Sequence, residues 1–268
     1  MTNIHPTAIV DPSAKLDPTV RIGPYAIIGE DVEIGAGTTI GARSIVEFTR
    51  MGAENRIHPG AFVGTPPQDL KFGGERTRLV MGDKNTVREC VTLNRGTSAT
   101  GETVIGSNCL FMAYSHIAHD CRVGNGVILV NSVGVAGHVA IGDCAVLGGL
   151  VGVHQYVRIG RFCMLGGGSM LGKDLPPFCL VQGDRATLRG LNLLGMRRAG
   201  LKHDVIRSIK DAYKTLFVSG QTQEAALAQL KAGGQPPEVL ELVEFIEASR
   251  RGIVRPAVGA QAEEEVTV

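Results

Sequence analysis

The chain has 268 residues, enough to bury a core without disulfide or metal staples, and its 27 Lys and Arg nearly balance its 26 Asp and Glu. That charge argues against an integral membrane protein and a general nucleic-acid binder, and no apolar run reaches the roughly 18 residues of a spanning helix. With 36 glycines, no tryptophan, 8 Phe and 4 Tyr, the architecture must use small aliphatics and frequent tight corners.

The N-terminal stretch MTNIHPTAIVDPSAKLD lacks the charged-then-apolar layout of a secretory signal, so a cytoplasmic protein is expected. From there a six-residue period takes over. Ile4, Val10, Leu16, Ile22, Ile28, Ile34, Ile40 and Val46 stand six apart, and the position four after each is small or aliphatic as far as Ser44. Val46 to Ile57 is eleven, a slip of one residue, after which Ile57, Val63, Met81, Val87 and Leu93 share the frame of a longer array. That array runs Ile105, Phe111, Ile117, Val123, Leu129, Val135, Ile141, Leu147, Val153, Ile159, Leu165 and Leu171. A helix would scatter these aliphatics around its circumference, and each glycine inside it would cost about 1 kcal/mol relative to alanine. A parallel β-helix uses six residues for one short strand and one corner, with the aliphatic inside and Gly, Asn or Asp taking the corner conformation. Three hexads close a coil, so residues 18 apart stack about 4.8 Å apart along the axis.

Two stretches break the period, GTPPQDLKFGGERTRL at 64–79 and NRGTSATGET at 94–103, and both are expected to project as loops from the prism wall. The β-helix is expected over 1–185. From 186 the spacing turns helical: Leu191 and Leu194, then Val205 to Phe217, Ala225 to Leu230, and Val239 to Ile246 after Pro236-Pro237. This gives a small C-terminal α-helical domain over 186–254, whose residues 185–214 hold eight Lys and Arg against two Asp. Residues 255–268, small, polar and acidic, read as a disordered tail. The six cysteines form no CxxC pair and read as reduced packing residues.

Three histidines carry the first hint of chemistry. His119, His138 and His154 lie in hexads whose first residues are 18 apart, each at a non-interior position, and predict a line of imidazoles along one wall. Asp120 beside His119 can accept a ring N–H and orient the base.

The motifs SHIAHDC (115–121), AGHV (136–139), VHQY (153–156), PPQDLK (66–71), LNRGT (93–97) and GLNLLGMRRAG (190–200) follow in this order within a hexapeptide chain ending in helices. Together they resemble the UDP-N-acetylglucosamine O-acyltransferase family over nearly the whole chain. The resemblance implies a left-handed β-helix, acting as a homotrimer with sites between subunits. It implies transfer of an R-3-hydroxyacyl group from acyl carrier protein to the 3-hydroxyl of UDP-N-acetylglucosamine, the first step of lipid A biosynthesis. No resident cofactor or metal is implied, since 4′-phosphopantetheine arrives on the carrier protein.

By the same resemblance His119 is the general base, Asp120 its orienting partner, and Gly137 the backbone N–H for the oxyanion. Asp69, Lys71, His138 and Gln155 match contacts to the sugar nucleotide, Asn192 and Arg198 contacts to nucleotide or phosphopantetheine, and His116 and His154 supporting positions. Gly167 falls where larger side chains in some relatives shorten the acyl groove, and Met170 is a second candidate for that stop. Asn94, Leu194 and Arg185 replace His, Glu and His of some relatives. Three alternatives stand beside this reading: a 3-amino acceptor, a zinc hydratase of the gamma-carbonic-anhydrase kind, and a non-catalytic scaffold. Against zinc, the three histidines occupy the third, fourth and second positions of their hexads, which does not bring their nitrogens to one focus.

Overall fold

The computed structural model describes residues 3–257. Among them, strands of mostly two residues assemble into three sheets of eleven, nine and eight strands, the walls of a triangular prism. Every pairing within the walls is parallel until the last strand. Ile4 pairs with Ile22 on the first wall, Val10 with Ile28 on the second and Leu16 with Ile34 on the third, so a coil is 18 residues.

The aliphatic hexad residues point inward and are buried from Ile22 onward, whereas Ile4, Val10 and Leu16 are only partly covered because the first coil has no neighbour below it. Burying one such side chain contributes about 1.5–3 kcal/mol, and the repeat multiplies it. Buried Asn55 and Asn85 replace the small interior residue on the first two coils after the slip. Asn55 Nδ2 donates to the carbonyls of Gly52 and Gly82, and its Oδ1 accepts the Asn85 N–H.

The glycines that follow the interior aliphatic serve a different purpose from the expected corner conformation. A Cβ on Gly142 would lie 2.6 Å from Arg161 N, and one on Gly148 would lie 2.7 Å from Gly167 N. They are glycines because consecutive coils touch there. Positive φ falls two residues later and is taken mostly by other residues, among them Asp120 (59°), His138 (61°) and Tyr156 (64°). Such a φ costs a non-glycine roughly 1–2 kcal/mol. It is offset because the turned N–H meets the preceding coil's corner: His138 N–H donates to His119 O at 3.0 Å and Tyr156 N–H to Gly137 O at 3.1 Å.

Both expected loops project, over 66–77 and 95–101, the flanking residues being strand. Both leave the corner between the second and third walls, on successive coils. Buried Arg95 anchors them, donating to Gly64 O (3.0 Å) and Glu47 Oε1 (3.2 Å) with its guanidinium over the rings of Phe48 and Phe72.

Helical structure begins later than the spacing suggests. Thr187–Leu191 is a strand, antiparallel to Cys179–Gln182, and only at Asn192 does helix α1 (Leu193–Arg198) start. Helices α2 (His203–Phe217), α3 (Gln223–Ala232) and α4 (Pro237–Glu247) follow. Their buried faces meet over Phe162 and Phe178, so this second core is seated on the end of the prism. Ile253 and Val254 return to the last coil, bridging to Asp174. Most of the segment read as a disordered tail, residues 258–268, lies outside the described residues. All six cysteines are free; four are buried as packing residues, but Cys90 and Cys144 are exposed at corners.

Candidate active site

The corner between the second and third walls repeats every 18 residues, which sets His119-Asp120, Gly137-His138 and Gln155-Tyr156 above one another. Together with the 66–77 loop and Thr97, Ser98 and Ala99 they enclose a cavity of ≈570 Å³. Asp69, Lys71, His119, His138 and Gln155, all expected as site residues, line it.

His119 Nδ1 lies 2.7 Å from Asp120 Oδ2. The Asp120 side chain is completely buried and accepts three further hydrogen bonds, from Thr97 N, Thr97 Oγ1 and Thr100 Oγ1. Burial alone would raise its carboxyl, but the bonds from Thr100, His119 and Thr97 prevail and bring it down to about 2. An ionised carboxylate can only accept, so Nδ1 of His119 carries the proton. In the neutral ring the lone pair is then on Nε2, which lies 4.0 Å from Asp69 Oδ2.

His138 stands edge-on to His119, with ring centroids 5.1 Å apart, and lies flat on Tyr156 at 4.4 Å and 4°. Burial lowers its pKa, as does His119, against the opposing pull of Asp120 and Asp69, so it is held toward neutrality. Gly137 is fitted to His119, because the imidazole ring occupies the space a side chain would need. The Gly137 N–H has no hydrogen-bond partner among the described residues, a property of the first residue in these corners, and it is available to an oxyanion.

The expected line of three imidazoles resolves into a pair and an outlier. His154 sits before its corner rather than in it, is exposed, and its Nδ1 is 2.7 Å from an Arg251 guanidinium nitrogen. His116 faces outward on the second wall with Nδ1 2.7 Å from Thr92 Oγ1, and burial lowers its pKa. Asn192 caps α1, accepting from Gly195 N and donating to Phe162 O, both at 2.9 Å, while Arg198 is exposed in the helix's last turn. None of these four lines this chain's cavity, and neither Gly167, at a corner between the first and second walls, nor outward-facing Met170 does.

His119, Asp120 and His138 place potential metal-ligand atoms within 4.8 Å of one another. Both Asp120 oxygens, however, already accept two hydrogen bonds each, and a third histidine is missing from the group. Sequence reasoning did not single out Thr97, Thr100 or Tyr156. The loop and the motif that contain them were visible; the threonines' partner lies 23 and 20 residues away across the loop, whereas Tyr156 lies 18 residues after His138, the interval at which the stacking rule could have found it.

The family described as UDP N-acetylglucosamine O-acyltransferase, domain 2, matches residues 174–254, and the bacterial transferase hexapeptide family matches 13–48 and 102–137. The acyl-[acyl-carrier-protein]–UDP-N-acetylglucosamine O-acyltransferase of Anaeromyxobacter sp. (strain Fw109-5) is 47% identical over 209 residues, 77% of this chain and 81% of that protein. The chain belongs to this family. The acyltransferase of the same name from Burkholderia orbicola is 51% identical over 211 residues, covering 76% and 80% of the two chains. The crystal structure of UDP-N-acetylglucosamine O-acyltransferase from Moraxella catarrhalis superposes with a TM-score of 0.92 at 43% identity, over 94% of this chain and all of that one. The prism is accordingly the left-handed β-helix of this acyltransferase family, with its small helical C-terminal domain.

Proposed function

We propose that this acyltransferase moves an R-3-hydroxyacyl group from acyl carrier protein to the 3-hydroxyl of UDP-N-acetylglucosamine, opening lipid A biosynthesis. The observation that carries the chemistry is the His119–Asp120 pair, with Nε2 turned into the cavity. As the hydroxyl oxygen attacks the thioester carbonyl, Nε2 takes its proton, a role typically worth about 10²–10⁴-fold. The Gly137 N–H receives the tetrahedral oxyanion, a donor worth about 2.7–4 kcal/mol where one has been removed. Collapse breaks the C–S bond and expels the phosphopantetheine thiolate, which takes the proton from the imidazolium and leaves as the thiol. No covalent enzyme intermediate and no resident cofactor enters this sequence.

Asp69, Lys71, His138 and Gln155 supply the polar lining expected of a sugar-nucleotide site. The eight basic residues over 185–214, none of them in an ion pair among the described residues, offer a face to the acidic carrier protein. A homotrimer is supported by the outward face of the second wall, where Ile9, Ile27 and Phe62 are exposed on the early coils and Met170 on the last. In that assembly His116, His154, Asn192 and Arg198 complete a neighbour's cavity. No helix of the described residues is long and apolar enough to cross a membrane, and the expected location is the cytoplasm.

The test is direct. Purified protein is incubated with UDP-N-acetylglucosamine, or its 3-amino analogue, and hydroxyacyl carrier proteins of several lengths, and products are weighed by mass spectrometry. O-acylated UDP-N-acetylglucosamine is expected, from a trimer by sedimentation. Absence of product from every donor refutes the proposal, product from the amino analogue alone transfers it to that acceptor, and a monomer refutes the assembly.

A further inference from the structure

The acyl-transfer reading assigns His119 and Asp120 but leaves open what holds Asp120. On the two coils above, the second corner residue sends its N–H to the carbonyl of the corner below, His138 to His119 and Tyr156 to Gly137. Under Asp120 that corner has been opened into the 95–101 loop, and the loop, with Thr103 in the strand that follows it, supplies the substitutes. The Thr103 hydroxyl takes the Asp120 N–H at 2.8 Å. Thr97 holds the carboxylate twice, N–H to Oδ1 at 3.0 Å and Oγ1 to Oδ2 at 2.7 Å, while Thr100 Oγ1 bonds to Oδ1. The Thr100 proton has a second acceptor in Glu102 O at 2.9 Å, but a charged and nearer oxygen takes precedence. The loop is itself braced, by Gly101 N–H on Thr97 O (2.8 Å), Ala99 N–H on Thr97 Oγ1 (3.2 Å) and Thr77 Oγ1 on Gly96 O (2.6 Å).

We propose that Thr97 and Thr100 are positioning residues for the general base: they fix the Asp120 carboxylate as a pure acceptor, aimed at His119 Nδ1, and share its charge. Two donors fill each oxygen, so the carboxylate can neither rotate nor take up a proton without surrendering a bond. The charged and titratable groups around it are His119, His138 with Nε2 at 3.8 Å from Oδ2, the adjacent Cys121, and Asp69 across the His119 ring. No cation other than an imidazolium is among them, which leaves hydroxyl and amide donors to hold the anion. This assignment rests on His119 acting as base in acyl transfer.

The double variant Thr97→Val/Thr100→Val keeps shape and removes both hydroxyls, while Thr97→Ser/Thr100→Ser keeps them. In the valine pair kcat is expected to fall at least about tenfold, with KM for the sugar nucleotide changed less than about threefold. The acid limb of its pH profile should move to higher pH, because a carboxylate with fewer donors draws the proton of the His119–Asp120 pair more strongly. The serine pair should restore both. An unmoved limb, or a serine pair as impaired as the valine pair, overturns the proposal. If the double valine variant does not fold, Thr100→Val, in the exposed part of the loop, carries the same test. A readout without substrate separates this proposal from the acyl-transfer reading. The downfield Nδ1–H proton resonance of His119 is expected at one position in wild type and the serine pair and further downfield in the valine pair, where the carboxylate has fewer competing donors; an unmoved resonance in the valine pair overturns the clamp even if turnover behaves as proposed.

Discussion

Gly137 and His119 are a fitted pair: a Cβ at 137 would lie 2.6 Å from Cε1 and 2.7 Å from Nε2 of the imidazole. Real Cβ atoms do not approach so closely, so one added methyl group must push the imidazole aside. Gly137 has no positive φ that alanine would resist. Gly137→Ala is therefore expected to fold with little change in melting temperature and to lose at least about tenfold in kcat. His119→Ala, at an outer corner, should fold equally well and lose about 10²-fold or more. Retention of more than about a tenth of wild-type turnover by His119→Ala would point to another base.

Asp120 also predicts a pH dependence of stability. Its carboxyl is lowered from 3.8 to about 2, so the unfolded chain binds the proton more readily than the folded one. The contribution, on the order of 2 kcal/mol, is fully present above about pH 4 and disappears as pH falls through about 2. Asp120→Asn should flatten this part of the curve. Denaturant midpoints of the two proteins between pH 2 and 5 provide the check, and parallel curves would contradict the hydrogen-bonded anion.

Acyl length gives a third test. A Cβ on Gly167 would meet Gly149 O at 3.3 Å and little else, so a side chain fits and would extend outward from the corner. Each methylene of a buried acyl chain contributes about 0.8 kcal/mol, and a plug removes it for long chains first. Gly167→Met should shift preference toward shorter hydroxyacyl donors and spare the shortest. If competition assays with mixed donors show an unchanged length profile, partly exposed Met170 becomes the residue to vary.

Charge reversal addresses the carrier protein. Arg197 and Lys202 are exposed at the junction of α1 and α2. Arg197→Glu/Lys202→Glu is expected to raise KM for acyl carrier protein several-fold at low salt, to lose that difference at high salt, and to leave sugar-nucleotide affinity unchanged. Equal carrier affinity at low ionic strength would remove this face from the interaction.

The prism was legible because six residues make one strand and one corner, so interior aliphatics such as Ile117, Val135 and Val153 mark their own walls. The stacking rule likewise brought His119 and His138 together. It misplaced His154, because a stack is defined by position within the hexad as well as by coil, and His154 precedes its corner while the other two sit in theirs. Glycine was assigned to the wrong task for a related reason: contact between coils, at Gly142 and Gly148, leaves no mark on backbone preference. The grip of Thr97 and Thr100 on Asp120 spans 23 and 20 residues through an aperiodic loop, and no local pattern encodes it.

The site occupies one edge of the prism, and both excursions of the chain leave from that edge while all three walls keep their ladders. Length is therefore counted in two currencies. Residues inserted within 66–77 or 95–101 change only what overhangs the edge. Residues removed from a wall upstream of His119 act on everything after them: excising 18 would shorten the prism by one storey and leave the site facing the same way, whereas excising six would carry every later residue round to the next edge.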